Sequence, residues 1–66
     1  MRIRVNGEER EVRPGMVVRE LLEELGATHF GVAVAIDGRV VPRTEHGTTR
    51  IGEGAAVEVI RAVGGG

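Results

Sequence analysis

The first twelve residues carry the signal that most restricts the fold. Apolar and charged residues alternate along MRIRVNGEEREV, and Asn6-Gly7 interrupts the alternation. Asn-Gly between alternating strands is the strongest short-range signal for a β-hairpin with a two-residue turn. The predicted register pairs Met1 with Val12, Arg2 with Glu11, Ile3 with Arg10 and Arg4 with Glu9. One face is then mainly apolar and the other carries opposite charges, whereas a three-residue turn would move Val12 to the charged face.

A helix is predicted after Pro14-Gly15, where the apolar period changes. The apolar residues fall at i, i+3, i+4 and i+7, which forms the stripe of an amphipathic helix, and they are Val18, Leu21, Leu22 and Leu25. Gly26 suits the left-handed backbone position that ends a helix. Positions 15 and 16 hold no Ser, Thr, Asp or Asn, so the helix has no side-chain N-cap. We expect packing to stabilise it more than local signals do.

The second half of the chain predicts three more strands. They are residues 32–36 (VAVAI), 39–41 (RVV) and 56–63 (AVEVIRAV). Asp37-Gly38 marks a second turn, and Pro42 ends the strand that follows it. Residues 43–54 are predicted to form a polar loop with Ile51 turned inward. One helix and four or five strands, in the order ββαβ(β)β, predict a small α+β domain with the helix across one face of the sheet.

Size and composition exclude several classes of function. A chain of 66 residues without cysteine buries only about 60% of its unfolded surface and has no room for a deep catalytic cleft. Acidic and basic residues are mixed to a net charge of -1, so no basic face is offered to nucleic acid. No apolar leader precedes Met1 and no apolar run is long enough to span a membrane. We expect a cytoplasmic protein that does not associate with membranes.

The side chains do not predict an active site. Serine and cysteine are absent, which removes the common nucleophiles. His29 and His46 stand apart without neighbouring ligands, so no metal site is predicted. A solvent-exposed helix face explains the acidic residues of the helix better than an acid-base pair does. These residues are Glu20, Glu23 and Glu24. We therefore expect that the protein is not an enzyme and binds no cofactor.

Strand parity predicts one face of the sheet that the helix leaves uncovered. If the valines of the third and last strands face the helix, the residues between them face outward, and these are Ala33, Ala35, Ile60 and Ala62. Such a face is smooth and weakly apolar. Ordinary exposed apolar surface and a docking face for a partner explain it equally well.

The chain ends in three glycines, residues 64–66, after a domain that we assign to residues 1–63. A flexible glycine tail lacks Cβ atoms, so a narrow channel in a partner could admit it, and it ends in the carboxylate of Gly66. A frayed terminus explains the same composition. Composition alone leaves both readings open.

Four stretches together resemble the ThiS family of sulfur carrier proteins: VNGEEREV, VVRELLEELG, VAVAIDGRVVPRTE and VEVIRAVGGG. The resemblance covers essentially the whole chain, with departures at Met16 and Ala55. It implies the ubiquitin-like β-grasp fold, a mixed sheet of four to five strands with one helix packed across one face. It also implies that the first and last strands lie side by side at the centre of the sheet.

The resemblance further implies how the tail works. A ThiF-like enzyme would use ATP to adenylate Gly66, with Gly64 and Gly65 threading into the partner. A sulfurtransferase relay would supply the sulfur of a thiocarboxylate, and ThiG, the thiazole synthase, would receive it. Two similar proteins are the alternatives: a small subunit of molybdopterin synthase, and a ubiquitin-like modifier joined to lysines through Gly66. A plain binding domain with a frayed end is the third.

Overall fold

The computed structural model describes residues 1–28 and 31–61. Its elements are β1 (Arg2–Val5), β2 (Glu8–Glu11), α1 (Val18–Glu24), β3 (Val32–Ile36), β4 (Arg39–Val41) and β5 (Ala56–Arg61). A 3-10 helix at Arg43–Glu45 lies in the segment predicted as loop. The boundary predicted between the domain and its tail lies outside the described residues and stays a prediction.

The five strands form one mixed sheet in the order β2-β1-β5-β3-β4. Only β1 and β5 run parallel, and the other neighbours are antiparallel. This arrangement confirms the predicted β-grasp architecture. The first and last strands lie side by side, and β5 occupies the centre of the sheet.

The first hairpin has the predicted register. The structure pairs Arg2 with Glu11, Ile3 with Arg10, Arg4 with Glu9 and Val5 with Glu8. Asn6 and Gly7 both have positive φ, 52° and 84°, as a type I′ turn requires. Local turn chemistry therefore sets the pairing of β1 with β2.

The hydrophobic core lies between α1 and one face of the sheet. The helix buries Val18, Leu21 and Leu22 almost completely, and Leu25 packs against the same cluster. The sheet contributes the alternate strand residues that face the helix, among them Ile3, Val34 and Val57. Ile51 is also buried, as predicted. The apolar stripe of the helix and the inner parity of the strands therefore meet in one core.

The start of α1 is held by backbone carbonyl groups from the loop that follows β4. Val17 occupies the N-cap position, one residue after the two positions considered in the sequence, and makes no side-chain cap hydrogen bond, which confirms the predicted lack of a side-chain cap. The Val18 N–H donates to the carbonyl of Thr49 at 3.0 Å and the Arg19 N–H to that of His46 at 2.8 Å. A Glu20 carboxylate oxygen accepts from the Val17 N–H at 3.0 Å. These acceptors satisfy amides that would otherwise lack partners at the helix start.

Candidate functional site: the strand that leads to the C-terminal glycines

The strand β5 is the element that carries the chain toward the predicted tail. On one side it pairs with β3, from Ile36 opposite Val57 to Val32 opposite Arg61. On the other side it pairs with β1 only at Ala56 and Val57. Residues 62–66, which include Ala62 and the three predicted tail glycines, lie outside the described residues. The structure therefore describes this site up to Arg61.

The two Xaa-Gly turns of the sheet both hold β5 through their first side chain. At the start of the strand, the Ala56 N–H donates to the Asp37 Oδ1 at 2.9 Å, and the Asp37 N–H donates to the Ala56 carbonyl at 2.8 Å. Further along, the Val59 N–H donates to the Asn6 Oδ1 at 2.9 Å, and the Asn6 Nδ2 donates to the Val59 carbonyl at 3.3 Å. The sequence pattern marks Asn6 and Asp37 only as turn residues and carries no local signal for this second role.

The last described residue of β5 contacts the end of the helix. A guanidinium nitrogen of Arg61 donates to the Leu25 carbonyl at 3.3 Å. Leu25 is the C-cap residue of α1, and a cation is favoured beside the carbonyl groups that end a helix. The side chain of Arg61 therefore joins the end of β5 to the body of the domain.

The face of the sheet opposite α1 exposes two large apolar side chains. Ile60 is 57% exposed and Val40 is 74% exposed. Ala33 is exposed as predicted and lies opposite Ile60 in the sheet. We call Ala33, Val40 and Ile60 the outer apolar face. Val40 was not among the residues predicted for this face, although the alternation of side chains along β4 places it there.

One residue predicted for this face contributes almost no surface. Ala35 is only 8% exposed, so the prediction that it is open to a partner is wrong. Its register partners are Val40 and Glu58. Because a single methyl group stands between two larger side chains, its neighbours shield it although it points away from the helix.

The described residues show no cluster of side chains that could perform metal chemistry. No group of three or more His, Asp or Glu gathers where an ion could bind within residues 1–28 and 31–61. His46 hydrogen-bonds through Nε2 to the Val41 carbonyl at 3.1 Å, while His29 lies outside the described residues. In the same part of the chain, no helix is long and apolar enough to cross a membrane.

Comparison with known sequences finds a match to the ThiS family. The model of the ThiS family matches residues 3–66. The chain is 30% identical over 66 residues to the sulfur carrier protein ThiS of Escherichia coli K12, and the match covers 100% of both chains. It is 35% identical over 66 residues to a thiazole synthase of Paramagnetospirillum magneticum AMB-1, and spans only 20% of that protein's length.

Solved structures agree with the sequence comparison. A crystal structure of the thiamine biosynthesis protein ThiS from Geobacter metallireducens matches with a TM-score of 0.84 and 33% identity, over 100% of both chains. A solution structure of a thiamine biosynthesis protein from the same organism matches with a TM-score of 0.82 and 33% identity, over 100% of this chain and 88% of that one. The fold predicted from the resemblance is thus confirmed.

Proposed function

The chain belongs to the ThiS family, and we propose that it carries sulfur for thiamine biosynthesis on the carboxylate of Gly66. The observation that carries the proposal is the family match, which runs through the terminal glycines to residue 66. The topology supports it, since β5 leads from the centre of the sheet toward those glycines. The protein acts as a co-substrate of its partner enzymes, and it binds no cofactor of its own.

The chemistry begins with activation of the carboxylate. A carboxylate oxygen of Gly66 attacks the α-phosphorus of ATP on a ThiF-like enzyme, and pyrophosphate leaves. The resulting acyl adenylate has AMP as its leaving group, so its carbonyl carbon is electrophilic. A sulfurtransferase relay supplies sulfur at the oxidation level of sulfide, which forms a C–S bond to this carbon as the C–O bond to AMP breaks, so that a thiocarboxylate remains. A ThiG-like thiazole synthase then takes the sulfur.

The thiazole synthase comparison supports the last partner. A segment similar to this whole chain makes up about a fifth of that polypeptide. A carrier and the enzyme it serves gain from being linked, because linkage raises their effective concentration. We therefore assign a thiazole synthase as the acceptor of the sulfur.

The folded domain provides the surface that partner enzymes bind, and the tail provides the carboxylate that reacts. Gly64 and Gly65 have no Cβ, so they can enter a channel that larger residues would block. Ile60, one of the three residues of the outer apolar face, lies on β5 immediately before Arg61, the last described residue ahead of the tail. Docking of a partner on this face would bring the tail to its active site, with Ala62 as a further predicted contact.

Mass spectrometry of the intact protein tests the proposal. Incubation with a ThiF-like enzyme, ATP and a sulfur donor should raise the mass by the difference between a sulfur and an oxygen atom. Omission of ATP, or deletion of Gly66, should abolish the change while the circular dichroism spectrum stays that of the folded protein.

The same assay separates the proposal from its alternatives. Addition of a thiazole synthase with its substrates should consume the thiocarboxylate and form thiazole. Sulfur transfer to a pterin precursor in place of thiazole would indicate the molybdopterin role. Adducts on lysine residues of other proteins, without any thiocarboxylate, would overturn the carrier function.

A further inference from the structure

The ladder between β1 and β5 ends before β5 does. Its last backbone pair is Val5 with Val57, because the chain turns away at Asn6, where φ is 52°. The Asn6 N–H still donates to the Val57 carbonyl at 2.9 Å. Beyond this bond, the Asn6 side chain replaces a backbone partner: its carboxamide pairs with both the N–H and the carbonyl of Val59. One side chain thus extends the ladder by a further pair toward the tail.

The turn alone does not require asparagine at this position. Asparagine, aspartate and glycine all tolerate the left-handed conformation of such a turn. Pairing with Val59 asks for more, since its N–H needs an acceptor and its carbonyl needs a donor. Of these three residues only asparagine offers both, because its carboxamide has an acceptor oxygen and a donor nitrogen, whereas an ionised aspartate offers acceptors alone and glycine has no side-chain polar group. The residue type at position 6 therefore matches what β5 needs.

We propose that Asn6 is a positioning residue for the reactions of the C-terminal glycines, because its carboxamide fixes the direction in which β5 delivers the chain to a partner enzyme. The inference rests on the proposed function. Val59 precedes Arg61, the last described residue, by two positions, so its two hydrogen bonds hold the part of β5 from which the chain continues to the tail at residue 64. Without them, β5 is held at this point by β3 on one side only. The reacting carboxylate would then reach the productive geometry less often.

The second Xaa-Gly turn provides a matched control. Asp37 has φ of 50° and Asn6 has φ of 52°, and the glycine after each has φ of 84°. Asp37 also accepts from an N–H of β5, but at Ala56, at the start of the strand. The two contacts lie about 10 Å apart along the strand, at a rise of roughly 3.3 Å per residue. Asn6→Gly and Asp37→Gly therefore both remove a side-chain contact with β5, at positions three residues apart in the strand, and glycine accepts both conformations.

Two measurements on these variants test the proposal. Amide hydrogen exchange followed by NMR should show the Val59 N–H exchanging about tenfold faster in Asn6→Gly, with Ala56 responding in Asp37→Gly instead. In thiocarboxylate formation with the ThiF-like enzyme and ATP, kcat should fall by about 3- to 10-fold in Asn6→Gly while KM changes by less than about twofold. Asp37→Gly should stay within about twofold of the wild type in both constants.

The outcomes separate the positioning role from a structural one. An equal loss of kcat in both variants, or a kcat in Asn6→Gly equal to that of the wild type, would overturn the proposal. If Asn6→Gly does not fold, Asn6→Asp takes its place, with Asp37→Asn as its partner that keeps the acceptor. If the wild type itself gains no sulfur, the proposed function fails, and the exchange rate of Val59 alone decides whether Asn6 orders β5.

Discussion

The two faces of the sheet are built from alternate residues of the same strands, yet one face is buried and the other is exposed to solvent. Under α1, Val34 and Val57 are each 1% exposed. On the other face, Ile60 is 57% exposed and Val40 is 74% exposed. All four residues are aliphatic, so their chemistry does not distinguish them. The position of the helix does, because it covers one face only.

This difference separates stability from recognition within a small domain. The covered face supplies the burial that holds the chain folded, since the sequence contains no cysteine to form a disulfide. The open face contributes little to folding and is available to a partner. Substitutions on the two faces should therefore change different measured quantities.

The largest effect is expected at the centre of the covered face. Leu21 is fully buried, and Leu21→Ala removes apolar contacts and leaves a cavity, which should lower the free energy of unfolding by about 3 kcal/mol. Urea denaturation followed by circular dichroism measures this. Glu23→Ala, on the exposed side of the same helix, should stay within about 0.5 kcal/mol of the wild type. A loss below about 1 kcal/mol for Leu21→Ala would contradict the central role of α1.

The next effect concerns the open face and binding rather than folding. Ile60→Gln keeps the size of the side chain, so the free energy of unfolding should change by less than about 0.5 kcal/mol. Affinity for the proposed ThiF-like partner should fall by about tenfold, or 1.4 kcal/mol, because the proposed interface would bury an amide. Titration calorimetry checks this, with the exposed loop variant Glu53→Gln as control. Unchanged affinity would remove Ile60 from the docking face.

A smaller effect is expected from the hydrogen bond that caps the start of α1. Glu20 accepts the Val17 N–H at 3.0 Å, and Glu20→Ala should lower the free energy of unfolding by about 1 kcal/mol. Glu20→Gln keeps an acceptor oxygen and should lose less. Thermal denaturation of the three proteins compares them. Equal losses in the two variants would assign the effect to charge, through the Arg13 ion pair at 3.7 Å, rather than to the hydrogen bond.

The smallest effect is expected from the charged pairs of the first hairpin. Arg2 lies 3.6 Å from a Glu11 carboxylate oxygen, and both side chains are about 70% exposed. A double-mutant cycle with alanine at both positions should give a coupling below about 0.5 kcal/mol that vanishes in 1 M salt. A larger coupling that survives salt would mean that the open face also stabilises the fold.

The sequence predicted the parts of the structure that depend on near neighbours. Asn6-Gly7 set the register of β1 and β2, and the spacing from Val18 to Leu25 showed which side of α1 would be buried. In each case a local rule was enough, because turn geometry and helical period act over a few residues. The family resemblance predicted the pairing of β1 with β5, which spacing alone could not.

The parts that sequence patterns missed depend on residues far apart in the chain. Ala35 shares the outward parity of Ala33, but its exposure was decided by Val40 and Glu58 on neighbouring strands. The cap of α1 comes from carbonyl groups of Thr49 and His46. No local pattern marks either contact.

Asn6 shows both sides of this division. By itself the sequence determined that Asn6 turns the chain, since a two-residue hairpin admits few residue types there. Only the tertiary structure decided that its carboxamide pairs with Val59, which lies 53 positions away. The physical reason is that a side chain's partners are set by which strands the whole fold brings together. Hydrophobic burial over the whole chain determines which strands become neighbours.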